Sequence, residues 1–162
     1  MARSDYPMTR GVRVLMEKQV TFLPHLYPYE EHGGTRHAAT CLGADEHCVI
    51  KTLVMEPDVG RPFLVLMHGD REVSTKMLAR ALGVKTVAPC STEKAERVTG
   101  YQVGGISPFG TRQPMPVCVE ASVISLERIY INGGKRGFLV EVAPADLSRV
   151  LQLREVRVAI EG

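Results

Sequence analysis

Two features of the chain have residue types that can do chemistry: Lys51 and the stretch "TGYQVGGISPFG", Thr99 to Gly110. Lys51 interrupts the apolar run "CVIKTLVM", and strand alternation places it on the same face as Val49, Leu53 and Met55. An ammonium there needs an anion or a route to water. At the floor of a cleft it would meet a phosphate or a polarised carbonyl oxygen, whereas at a sheet edge it would only extend into solvent; the pattern weights both equally. The glycine stretch interleaves four glycines and a proline with Tyr101, Val103, Ile106 and Phe109, too apolar for a linker and too glycine-rich for a helix. Its G-x-x-x-P-x-G segment, from Gly104 through Pro108 to Gly110, can aim backbone N–H groups at an oxygen. A tight packing turn uses the same residues, so both readings stay open.

Other chemistries find less support. The loop has no Gly-Lys-Ser/Thr ending and opens no dinucleotide fold, which argues against nucleotide hydrolysis. Lys135 and Arg136 in "INGGKRG" form a compact basic tip that suits either a phosphate backbone or plain solvation. His25, His32, His37 and His47, with Tyr27 among them, crowd the first third of the chain without zinc spacing, so no metal is expected. Ser107 sits in no nucleophile elbow. Cys41, Cys48, Cys90 and Cys118 form no C-x-x-C pair, and three lie in or beside apolar segments, as buried free thiols of a reducing compartment would.

These residues must be positioned by one domain of residues 1–162, since that length is short for two and 44% hydrophobic content suffices for a core. Charged residues make up 23% with a net charge of +2, too balanced for a general nucleic-acid surface. Any basic surface is local, and no DNA partner is expected. "MARSDYPMTRG" lacks the apolar run of a signal peptide, and nothing approaches the roughly 20 apolar residues of a membrane span. A soluble, cytoplasmic protein with no membrane contact is expected.

The spacing from Thr9 to Gln19, with Thr9 as cap and Val12, Leu15, Met16 and Val20 apolar, predicts an amphipathic helix. "VTFLPHLY" reads as a strand, and "GTRHAATCLG" as a helix with Thr35 as N-cap and Gly43 as terminal glycine. "HCVIKTLVMEP" and "RPFLVLMHGD" form a central strand pair around "PDVG". "STKMLARALG" and "TEKAERVTG" are helices with "VKTVAP" a strand between them. "MPVCVEA", "RIYIN" and "GFLVEV" are strands, the last two joined by the hairpin "NGGKRG". Pro144 opens a closing helix, "PADLSRVLQL", before a final strand "VRVAI". The fold class is α+β, a mixed sheet with helices packed outside it.

"VIKTLV", "TGYQVGGISPFG", "IYINGGKRG" and "APADL", in this order, resemble the YbaK/EbsC family of free-standing aminoacyl-tRNA deacylases, which includes the bacterial Cys-tRNA(Pro) deacylase and is related to the editing domain of prolyl-tRNA synthetases. The resemblance runs from about Thr9 to Leu151. It implies a mixed, partly closed β-sheet with surrounding helices, and hydrolysis, without a cofactor, of the ester joining a wrong amino acid to the 3′ end of tRNA. Water, or the thiol of a cysteinyl substrate, would attack. The family's indispensable lysine falls on Lys51, and its glycine loop on Gly104, Gly105, Ile106, Ser107 and Pro108. The family's cleft tyrosine is implied to be Tyr27; Thr52, Gly110, Asn132, Gly133 and Gly134 are expected to contact substrate beside it, and the basic tip of Lys135 and Arg136 to contact the tRNA backbone weakly. Aminoacyl-tRNA and a prolyl-tRNA synthetase are the implied partners. Two residues depart from the pattern. Leu139 in "GFLVE" stands where members resembling the Cys-tRNA deacylase commonly have aspartate, and Asn132 where they commonly have serine. Cysteine, alanine and serine all remain candidate substrates, and a module that binds the acceptor end or a synthetase without hydrolysis remains the alternative. A binder of small acidic ligands would use the same lysine and loop.

Overall fold

The computed structural model of the protein describes residues 5–162, so the first four residues of the amino-terminal stretch lie outside it. In chain order the elements are α1 (Arg10–Glu17), β1 (Leu23–Leu26), α2 (Gly34–Leu42), β2 (Val49–Pro57), β3 (Phe63–His68), β4 (Arg71–Val73), α3 (Thr75–Leu82) and β5 (Val87–Pro89). Then follow α4 (Thr92–Thr99), β6 (Val117–Glu120), α5 (Ala121–Ile124), β7 (Ile129–Lys135), β8 (Phe138–Val142), α6 (Leu147–Val150), β9 (Leu153–Val156) and β10 (Ala159–Glu161). The main sheet is mixed, in the order β1-β8-β7-β2-β3-β6-β9, while β10 and β4 form a separate pair. This is the expected α+β architecture, with "VIKTLV" at its centre.

The helices start and stop where side-chain chemistry says they should. Thr9, Ser74 and Ser91 accept hydrogen bonds from the N–H groups of Val12, Met77 and Lys94, satisfying donors that a helix leaves unpaired. Gly43, Gly83 and Gly100 close α2, α3 and α4 in the left-handed conformation. Thr35 is a correction: the cap of α2 is Gly33, and Thr35 lies inside the helix, its hydroxyl 2.8 Å from Glu46 Oε2. A long-range acceptor outcompeted the local N–H. "VRVAI" is divided as well, because its residues serve two sheets: Val156 pairs with Glu120 in the main sheet and Ala159 with Val73 in the small one. The closing helix is shorter than "PADLSRVLQL", a 3₁₀ turn at Pro144–Asp146 followed by α6.

One face of the main sheet carries Ile50, Val54, Leu64, Leu66, Ile131 and Val140, and α1 covers it with Val12 and Leu15. Burying each such side chain contributes about 1.5–3 kcal/mol, so this layer dominates stability. The opposite face is covered in two places. Leu78 of α3 packs with Met55, Val65 and Met67, and Ala38 of α2 packs with Val49 and Leu139. Lys51 lies between the two clusters, which is how a lysine fits a strand that is otherwise apolar. Of the cysteines only Cys118 is buried; Cys48 and Cys90 are half-buried and Cys41 is exposed, a correction to three buried thiols. Cys41 lies on α2, Cys48 in the turn before β2 and Cys90 just after β5, so none of the three is inside a strand.

Candidate active-site cleft

Beside Lys51 the sheet splits. β2 pairs with parallel β7 only at Val49↔Tyr130 and Ile50↔Ile131, and with β5 only from Met55↔Pro89. Between those points the residues from Lys51 to Leu53 have a strand neighbour on the β3 side alone. A cleft of about 330 Å³ opens there, lined by Tyr27, Tyr29, Lys51, Thr52, Ile106 and Leu139, with Gly104 and Asn132 at one wall and the start of α2 at another. The Thr52 hydroxyl is buried without a hydrogen-bond partner among the described residues. A buried hydroxyl in that condition costs about 1–3 kcal/mol unless something else satisfies it.

Lys51 reaches this space with a side chain 22% exposed, and its nearest acid is Glu72, whose Oε2 lies 3.8 Å away. Glu72 is itself 61% exposed, so the pair is screened and weak. Positive charge stays available to the cleft. Burial, with Tyr29 and Cys41 adding to it, pushes the Tyr27 phenol above its usual range, so at neutral pH it remains a protonated donor. Leu139, Ala38 and Val49 make one side of the cleft apolar.

The glycine loop reaches the cleft with only part of its length. Gly104 has a φ of 93°, and a Cβ there would lie 2.6 Å from the Tyr29 hydroxyl, so glycine is required by backbone and space together. A Cβ on Gly105 would lie 2.5 Å from the Arg136 backbone nitrogen. Gly105 therefore seats the loop on the hairpin, and its own N–H donates to Gln102 O at 2.8 Å. The Ser107 hydroxyl is fully buried and accepts the Phe109 N–H at 3.1 Å, which makes it a fastener of the turn. Among the described residues the Gly104 and Ile106 N–H groups make no hydrogen bond, and these are the amides left for a ligand. Pro108 is buried, and Gly110, Gly133 and Gly134 pack against Arg10, the Phe138 ring and Tyr101. None of these four lines the cleft.

Asn132 joins loop to hairpin: Oδ1 accepts the N–H groups of Gly134 and Lys135 at 2.6 and 3.1 Å, and Nδ2 donates to Gly104 O at 3.4 Å. Arg136 adds a second tie, with Nε donating to Val103 O at 2.9 Å and its guanidinium 5.0 Å from the Tyr29 ring. Lys135 points to solvent beside it.

With Lys51, a split strand and a glycine loop around one cleft, the comparison with known proteins is specific. The model of the aminoacyl-tRNA editing domain matches residues 31–150. The chain belongs to the aminoacyl-tRNA editing domain family. It is 29% identical over 137 residues, 84% of each chain, to an Enterococcus faecalis protein named "Putative Cys-tRNA(Pro)/Cys-tRNA(Cys) deacylase EbsC". It is 26% identical over 151 residues to the proline–tRNA ligase of Desulfotalea psychrophila, matching 90% of this chain and 26% of the ligase. The fold is that of the solved structure described as a "putative trans-editing enzyme for prolyl tRNA synthetase", with a TM-score of 0.81 and 19% identity over 93% of this chain and 95% of the other.

Within this editing domain, the cleft brings together Tyr27, Lys51, Thr52, Gly104, Ile106 and Asn132 of the residues singled out from sequence. Sequence reasoning missed Tyr29 and Glu30, which enter from the segment between β1 and α2, and weighed His37, which α2 brings in, only as a metal ligand. "YPYEEHGGTRH" gives no spacing that would mark them, because they meet Lys51 only through the tertiary fold. His37 stands 3.5 Å from Cys41 Sγ, but the same Nε2 lies 2.7 Å from Pro28 O. A carbonyl can only accept, so that nitrogen carries a proton and is no base for the thiol. Among the described residues no group of three metal-ligating side chains converges.

Proposed function

We propose that this editing domain hydrolyses the ester linking a small amino acid to the 3′ end of tRNA, with tRNA(Pro) as the carrier and prolyl-tRNA synthetase as a partner in selecting it. The observation that carries the reading is Lys51 at the split of the sheet, lining the same cleft as Gly104 and Ile106, whose amides make no hydrogen bond among the described residues. The ester's alcohol is the ribose of the terminal adenosine. The Lys51 ammonium supplies positive charge to the ester or the neighbouring phosphate, and the loop amides donate to the oxygen that becomes negative as water adds. Thr52 and Tyr27 hold the substrate in line. Leu139, Ala38 and Val49 receive its side chain, which favours alanine over the more polar serine. The relatives support a carrier related to proline, since one is named for Cys-tRNA(Pro) and another is a proline–tRNA ligase.

The test is a panel of tRNA(Pro) charged in turn with labelled alanine, cysteine, serine and proline. Rapid loss of label from alanine or cysteine, with prolyl-tRNA spared, is the expected result. Equal stability of every ester with and without the protein would overturn the reading and leave a binding module.

A further inference from the structure

The substrate of such a site is the end of a polymer, and a cleft of about 330 Å³ is near the lower limit of small-ligand sites, so the preceding nucleotides must lie outside it. We propose that the open groove beside the cleft, lined by Tyr6, Pro7, Leu26, Pro28, Lys135 and Arg136, holds the nucleotide before the terminal adenosine. Its base lies on the apolar wall and its phosphate meets the two cations. The inference rests on the reading of the cleft given above.

Three observations support it. Tyr27 lines both the cleft and the groove, and its backbone N–H donates to Gly137 O at 3.0 Å, fixing the end of β1 against the hairpin. The two spaces therefore adjoin at Tyr27. Arg136 stands at their divide, committing Nε to Val103 O and leaving its terminal nitrogens without a hydrogen bond among the described residues. Leu26 is 53% exposed and Pro28 is exposed beside it, which gives an unstacked base an apolar surface to lie on. Charge favours the same exit. Asp5 is the one acid among the described residues that line the groove, whereas the charged groups elsewhere around the cleft include Glu30 and, beside Lys51, Glu72.

Two non-hydrolysable probes test the proposal: adenosine carrying alanine as a 3′-amide, and the trinucleotide CCA carrying the same amide. The trinucleotide should bind the full chain about tenfold more tightly, within what stacking of a base contributes. Leu26→Asp should remove that advantage while leaving the adenosine probe's affinity unchanged. Lys135→Gln should lower the salt slope for the trinucleotide by about 0.7, the value for one phosphate of a single strand. If both probes bind equally, or if Leu26→Asp weakens both alike, the groove does not hold a nucleotide. Should Leu26→Asp spare both probes and instead weaken binding of prolyl-tRNA synthetase, the groove is a protein contact and the proposal falls. Binding of neither probe to the unmodified protein would overturn the reading of the cleft itself.

Discussion

At the scale of single residues, the proposed function divides the cleft into groups that would meet substrate and groups that hold those in place. Lys51 is of the first kind, and Lys51→Arg should not restore the activity lost in Lys51→Ala, because a planar fork does not fit where a compact ammonium does. Turnover by the arginine variant near that of the parent protein would contradict this. Ser107 is of the second kind. Ser107→Ala leaves the buried Phe109 N–H without its acceptor, so it should cost about 1–3 kcal/mol of stability by denaturant titration while turnover per folded molecule changes little. Leu139 bounds the apolar side of the cleft, and Leu139→Ala should enlarge it. Selectivity for alanine over valine esters should fall about tenfold or more, as it does when a pocket gains one or two methylenes of space. Lys51 and the glycine loop were legible in sequence because each breaks a local rule: a charge in an apolar strand, and glycines among apolar residues. Tyr29 and Glu30 break none, and so stayed hidden.

Among elements, the hairpin of β7 and β8 and the split of β2 do most to shape the site. The hairpin was readable from "NGGKRG", yet the sequence does not say that Gly105 would be pressed against its backbone. Gly105→Val should consequently lower the melting temperature and displace the loop, rather than slow a well-folded enzyme. The start of β2 is held by a second group of side chains. His68 donates from Nδ1 to His47 O at 2.7 Å and accepts the Ser122 hydroxyl at Nε2, while its ring stacks on His47 at 3.7 Å. Burial lowers the pKa of His68, against the raising effect of that backbone hydrogen bond and of Asp70 and Glu120. An unfolded histidine takes up a proton near pH 6.5 that the folded one refuses. Its contribution to stability is complete above that pH and declines as pH falls below it. Melting temperature measured from pH 8 to pH 5 should therefore drop less steeply in His68→Gln than in the parent protein; identical slopes would contradict the assignment. Strand pairing across long separations, such as β2 with β7, carries no local signature, which is why the cleft's existence could not be read before the fold.

On the scale of the whole molecule, a net charge of +2 and two cations at the hairpin tip make a poor platform for tRNA. Affinity for uncharged tRNA should be weak, with a log–log salt slope of about −1 to −2, since each phosphate of a single strand contributes about −0.7. Tight, salt-insensitive discrimination among tRNAs by the isolated protein would contradict that picture and remove the need for a synthetase partner. The α+β class and the order of the elements followed from periodicity and glycine stops, whereas the second sheet of β4 and β10 did not, because three-residue strands are too short to show a period.

The most direct test of the central claim is single-turnover hydrolysis of alanyl-tRNA(Pro) by the parent protein and by Lys51→Ala, with circular dichroism on both. The ester should be cleaved by the parent protein, and the variant should be slower by on the order of a hundredfold or more with an unchanged spectrum. Equal rates from two equally folded proteins would contradict the claim that chemistry occurs at Lys51.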